Sequence, residues 1–257
     1  MKKSPVIISK IAPTSLLISL FIVWESAVRI SGIPAYIMAT PSQVARVIIE
    51  SKSLIWYHTQ ITMLEALTGF LVSIALAFLI AYLLNKYYCL KRTIYPLLIL
   101  SQTVPLIVLA VLFIIWFGFG LFPKILVVVL VCFFPVSINL INGLESVDPD
   151  QLNLFRSMGA NYWQIFKIVK LPSAMPSFFS GLRISATYSI MAAVIGEWMG
   201  AQRGLGYYMT IQQKAFAMDK VLASVAVICL LSLLLVKTIE LLEYLIIPWN
   251  RYKNRPN

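Results

Sequence analysis

Charge is scarce in this sequence. Only 12% of its 257 residues are charged, against about 25% in soluble domains. Histidine occurs once, at His58, and no H-E-x-x-H is present, which excludes a zinc-protease site. No G-x-x-x-x-G-K-[ST] occurs, so the chain has no P-loop to hold ATP phosphates, and there is no G-x-S-x-G. The three cysteines, Cys89, Cys132 and Cys229, lie far apart. They show neither metal spacing nor a disulfide framework and read as small packing residues. The main ionisable groups deep in the apolar runs are Glu65, Arg183, Lys237 and Glu240, with Glu197 near the end of a run. That is not the relay of carboxylates and histidines that a proton-coupled carrier places at mid-membrane depth.

Apolar residues make up 60% of the chain, and the mean hydropathy is +0.86. Several windows of roughly 20 residues have the length needed to cross a bilayer core. The fold class is an all-α polytopic membrane protein with about six transmembrane helices. Their expected positions are 11–30, 61–84, 94–117, 125–141, 178–199 and 221–247. Span three carries Pro96 and Pro105 and is expected to be one kinked helix. Span four carries Pro135. A loop at 32–43 leads into an amphipathic stretch at 41–56, read as a helix on the membrane surface. Glu25 and Arg29 sit four apart and can pair within the first span. Residues 1–257 read as a single membrane domain.

The net charge of +11 would suggest nucleic acid in a soluble protein. Here the basic residues flank apolar spans, which reads as topology and contact with anionic lipid. Lys2 and Lys3, the Lys86–Arg92 loop, the polar segment at 148–176 and the tail with Arg251, Lys253 and Arg255 fall on one side. Their excess of Lys and Arg makes that side cytoplasmic, with both termini inside. The first apolar run reads as a retained anchor rather than a cleaved leader.

The longest polar interruption of the second half is DPDQLNLFRSMGANYWQIFKIVKLPSAMP, Asp148 to Pro176. It reads as two short helices joined at Gly159, where a glycine permits a left-handed turn. Asp148 and Asp150 suit the positive end of the first helix. Tyr162, Trp163, Ile165 and Phe166 give the second an aromatic face of interface composition, rimmed by Arg156, Lys167 and Lys170. Leu171-Pro172 reads as a stop before span five. Such a helix can dock on a protein or rest on lipid headgroups.

Gly159 is followed after nine residues by Val169-Lys170-Leu171-Pro172. This resembles the E-A-A loop of binding-protein-dependent ABC importer permeases. Asn153, Leu154 and Phe155 stand where that family has E-A-A. Further segments resemble its nitrate, taurine, alkanesulfonate and thiamine-pyrimidine-precursor branch: Trp24-Glu25, the turn near Pro41, Thr103 to Leu106, and Gly196 to Tyr207 (GEWMGA…GLGY). The resemblance implies a type I importer permease with a cytoplasmic coupling helix, in the bacterial cytoplasmic membrane. It implies a homodimer, two cytoplasmic ATP-binding subunits and an extracytoplasmic substrate-binding protein. This chain would bind no cofactor and hold no catalytic or metal residue; ATP and Mg would sit in the partner ATPase. Gly159, Ala160, Tyr162, Trp163, Phe166, Val169, Leu171 and Pro172 would form the ATPase-coupling element. Gln102, Thr103, Pro105, Glu197, Gly204 and Gly206 are candidates for the translocation path or gate. The reading from another class is a self-sufficient carrier or channel, which transports without an ATPase.

Overall fold

Hydrocarbon offers the backbone no hydrogen-bond partners, so an apolar chain of this kind satisfies its amides within helices. A computed structural model describes residues 5–249, with side chains from residue 14 onward. Among these residues every regular element is helical. Lys2, Lys3, Arg251, Lys253 and Arg255 lie outside the described residues. The elements are α1 (Pro5–Ile30), α2 (Pro41–Glu50), α3 (Lys52–Lys86), α4 (Tyr88–Ser101), α5 (Leu106–Phe117), α6 (Leu121–Glu145), α7 (Pro149–Ser157), α8 (Tyr162–Ile165), α9 (Leu171–Gly200), α10 (Leu205–Lys214) and α11 (Met218–Ile246), with a π-helical turn at Phe166–Lys170 between α8 and α9. Four stretches are single helical paths long and apolar enough to cross a membrane: Lys52–Lys86, Leu121–Glu145, Tyr162–Gly200 and Met218–Ile246.

The expected third span is not one kinked helix. Its two halves, α4 and α5, meet at a bend of 100°, and together they make a fifth candidate crossing or a re-entrant pair. The reason is local. Pro105 cannot donate to the helix behind it and biases Val104 away from helical geometry. Gln102 and Thr103 close α4 with tight i→i−3 bonds to Ile99 and Leu100. Pro96 and Pro135, by contrast, sit inside continuous helices. Another correction concerns Leu171-Pro172, which does not stop the chain. The Leu171 amide reaches back five residues to the Phe166 carbonyl, and the wider turn accommodates the proline that follows. The path therefore stays helical from Tyr162 to Gly200.

The described residues fall into two compact units, one drawn from Met1–His58 and Tyr208–Val227, the other from Thr59–Tyr207 and Ile228–Asn257. In the first, α2 ends at Glu50, six residues short of the expected amphipathic helix, and starts at a Thr40–Gln43 capping box. Arg29 Nε donates to Glu25 Oε1 at 2.6 Å, as expected, and Ser42 adds its amide and hydroxyl to the same carboxylate at 3.0 and 2.8 Å. His58 stacks on Tyr208 with ring centroids 5.2 Å apart.

The core of the second unit is the seam between α6 and α9. Gly143 and Gly181 let the backbones touch: a Cβ on Gly181 would fall 2.8 Å from the Pro135 carbonyl, and one on Gly143 2.9 Å from the Ala174 Cα. Ser185 Oγ donates to the Cys132 carbonyl at 2.9 Å and Cys132 Sγ to the Ser185 carbonyl at 3.4 Å. Close small-residue packing with such cross-helix bonds is how helices associate in lipid. Replacing Gly181 with alanine overpacks this seam at a cost of about 1–3 kcal/mol. The expected result is a Tm in detergent lowered by roughly 2–10 °C, whereas Ala75→Leu on the exposed face of α3 leaves it unchanged. An unaltered Tm for Gly181→Ala contradicts the seam.

Candidate functional site

The polar loop after α6 is built from two caps and a hinge. Asp148 accepts the Asp150 amide at 2.9 Å and starts α7. Asn161 and Gln164 form a reciprocal capping box at the start of α8. Between them Gly159 has φ +79°, and a Cβ there would meet nothing within 4 Å. Glycine is needed for its backbone conformation, not for space.

The apolar and aromatic side chains of α8 and the π-helical turn divide. Phe166 and Val169 are buried, at 7% exposure each, and Ile165 is buried beside them. Ile165, Phe166 and Val169 pack inward and fasten the loop to the protein. Ala160, Leu171 and Pro172 are half-buried. What remains outward is Trp163 at 55% exposure, Met158 at 74%, and Tyr162, Leu154 and Ile168. The fastening point is the end of α3. Tyr82 meets the rings of Phe166, Trp163 and Tyr162 at 5.1, 6.1 and 6.5 Å. One turn on, Asn85 Oδ1 accepts from the Tyr162 hydroxyl and from Lys170 Nζ, both at 3.1 Å. Neither Tyr82 nor Asn85 was a sequence candidate. A Tyr-x-x-Asn near the end of an apolar run carries no local signal for contacts about 80 residues away.

Glu197, Gly204 and Gly206 come together at the other end of α9, with a partner the sequence did not disclose. Glu197 is buried. Its Oε1 accepts the Thr62 hydroxyl at 2.7 Å, and its Oε2 accepts the Gly206 amide at 2.5 Å. Thr62 Oγ1 in turn accepts the Leu205 amide at 2.8 Å. Gly204 has φ +114°, and a Cβ there would fall into the Glu197 carboxylate. The gate candidates Glu197, Gly204 and Gly206 sit in a knot that ties the start of α10 to α3. One turn below Thr62, the buried Glu65 pairs with Lys124 of α6. Lys124 was missed as well, although a lone lysine in an apolar run opposite a lone glutamate is a pairing signal. Lys124 also lines a cavity of about 560 Å³ with Gln202, Arg203 and Phe119.

Gln102, Thr103 and Pro105 are exposed at the α4–α5 break. They line a separate cavity of about 450 Å³ facing α6 and α9. The structure thus places the path candidates in two groups, the break and the knot. Among the described residues, no three His, Cys, Asp or Glu side chains cluster as metal ligands.

Removing one partner of a buried ion pair leaves an unpaired charge, at a cost of about 3–5 kcal/mol, whereas replacing both with apolar residues is often neutral. Lys124→Met is therefore expected to lower the Tm and the yield of folded protein, and Lys124→Met with Glu65→Leu to restore most of the loss. Additive losses in the double variant, measured by thermal unfolding in detergent, contradict the pairing.

Comparisons with known proteins bear on this arrangement. A family described as "binding-protein-dependent transport system inner membrane component" matches residues 69–252. The formylaminopyrimidine transport permease protein ThiX of Halalkalibacterium halodurans is 37% identical over 93% of this chain and 96% of its own. The riboflavin transport system permease protein RibX of Chloroflexus aurantiacus is 33% identical over 92% and 89%. Among solved structures, one described as an amino acid ABC transporter with histidines aligns with a TM-score of 0.64 at 17% identity, covering 77% of this chain and 97% of its own.

Proposed function

The chain belongs to the family of binding-protein-dependent transport system inner membrane components, and from that premise we propose that it is the permease subunit of an ABC importer, driven through the α7–α8 loop by a separate ATPase. It is a multi-pass inner-membrane protein of the ABC importer class. Its sequence has no P-loop, so ATP and Mg are held by the partner. Two such ATPases, a second copy of this chain and an outside substrate-binding protein complete the assembly. Both termini face the cytoplasm, by the distribution of lysine and arginine. The solute is a small organic or anionic molecule: a sulfonate, taurine, nitrate or a pyrimidine precursor.

The observation that carries this reading is the division of the aromatics between α8 and the π-helical turn. Phe166 is sunk among Tyr82 and its neighbours, while Trp163 stacks on it at 5.7 Å and stays half in solvent. An exposed tryptophan, with Met158 exposed on the same loop, is the composition of an interface anchor. A pull on Trp163 is passed to Phe166 and so to α3 and α9. When ATP closes the ATPase pair, the loop moves with it. Differential contact in the open and closed states supplies the shift between outward- and inward-facing forms.

Trp163→Glu is expected to weaken co-purification of the ATPase by at least about 30-fold, the effect of losing an interface hot spot. Gly159→Ala strains a left-handed position at a cost of about 1–2 kcal/mol, so an intermediate loss of roughly tenfold is expected. Gly159→Asn, which tolerates φ > 0, loses less. Normal recovery of the ATPase with Trp163→Glu, measured by pull-down from detergent, overturns the docking face.

A further inference from the structure

We propose that Glu65 and Glu197 hold one proton between them, and that the knot beside α10 is closed by a carboxyl–carboxylate hydrogen bond that fails as the pH rises. The charges buried there do not balance otherwise. Glu65 and Glu197 are 0% and 1% exposed, and Lys124 is 6% exposed. Thr62 and Glu65, three residues apart, share one face of α3, so the helix that presents Thr62 to Glu197 presents Glu65 to it as well. Glu197 stands within hydrogen-bonding reach of the Glu65 carboxyl. Lys124 enters from α6. It pairs with Glu65, and its Cβ and Cγ lie 3.4 Å from where a Cβ on Gly196, the neighbour of Glu197, would stand.

Two carboxyl groups therefore meet one ammonium group. Ionised together, they would keep a net negative charge away from water, and a buried charge without a partner is strongly unfavourable. Arg203 shares a cavity wall with Lys124, but the charged groups that act on the two carboxyls are Lys124 and each other. Tyr207, the next titratable side chain after Gly206, brings no cation. A single proton restores the balance, as it does where two carboxyls share one site.

The hydrogen bonds leave a place for that proton. Both oxygens of Glu197 already accept, from the Thr62 hydroxyl and the Gly206 amide. Glu65 Oε1 accepts from Lys124 Nζ. Glu65 Oε2 is buried with no donor facing it among the described residues, and a buried polar atom is expected to be paired. A proton shared between Oε2 and Glu197 turns a contact of two acceptors into a hydrogen bond and removes the excess charge. A metal cation fits less well. Hydrogens of Thr62, Gly206 and Lys124 point at three of the four carboxyl oxygens, whereas hard cations collect about six oxygen ligands.

The folded chain then carries one proton more than the unfolded chain at neutral pH. Stability is therefore full on the acid side of neutrality and is lost as the pH rises far enough to strip the pair. The test uses the purified full chain in detergent, so it stands whether or not an ATPase associates. Infrared spectra at neutral pH are expected to show the C=O stretch of a protonated carboxylic acid. It should vanish at alkaline pH, and it should be absent from Glu65→Gln and from Glu197→Gln. The Tm of the unaltered chain should fall above neutrality, its unfolding constant rising by up to about tenfold per pH unit. Glu65→Gln keeps an acceptor for Lys124 and offers an N–H to Glu197, so it should match the unaltered Tm at neutral pH and lose most of the slope. No acid band in the unaltered chain, a band that survives in both variants, or an unchanged slope in Glu65→Gln each overturns the proposal. So does a Tm at alkaline pH that sodium chloride restores and choline chloride does not, because the pair then holds a cation. Should Glu65→Gln fail to fold, the acid band of the unaltered chain and its loss at alkaline pH decide the matter.

Discussion

The backbone contact between α6 and α9 is the constraint on which the second unit depends. In lipid no hydrophobic force drives helices together, so the pair is held by van der Waals fit and a few cross-helix hydrogen bonds. Gly143 and Gly181 remove the side chains that would keep the axes apart. Ser185 and Cys132 exchange hydrogen bonds across the contact. Because α6 and α9 flank the polar loop in sequence, the seam holds both ends of that loop. A force on the loop then reaches two long helices as one body instead of unfolding a flexible connection.

Different chemistry is used at the two ends of this body. At the loop end the fastening is aromatic, with Tyr82 as hub and Asn85 as a polar latch. Aromatic pairs contribute about 0.5–1.5 kcal/mol each beyond their buried area and tolerate tilting. The far end is held by a buried carboxylate knot and the Glu65–Lys124 pair. Bonds to a buried charge have strict geometry and a high cost of breakage, which suits an element that must not come apart. The π-helical turn at Phe166–Lys170 lies between the loop and α9.

Composition alone made the class of the protein legible, because runs of apolar residues in lipid have one backbone solution. The two-helix loop and the role of Gly159 were also readable, since caps and a left-handed turn are local chemistry. The unread parts were long-range or directional. Pro105 announced a break but not its 100° angle, which depends on where α5 packs. The helical face of Phe166 could not be assigned, because a helix this short has no periodicity to show which side is buried. Glu197 was singled out in a span, yet its partners Thr62 and Gly206 lie 135 and nine residues away. Only the fold brings them together. Leu171-Pro172 was read by the rule that proline ends helices, and a single wider turn was enough to evade it.

Dependence on ATP hydrolysis by a partner is what separates an importer permease from a self-sufficient carrier. The most direct measurement is uptake into sealed proteoliposomes containing the chain alone or the chain with its ATPase, binding protein outside and ATP on the ATPase side. Accumulation against a gradient is expected only when chain, ATPase, binding protein and ATP are all present. Uptake by the chain alone, or accumulation that continues without ATP, would contradict it and make the protein a self-sufficient carrier.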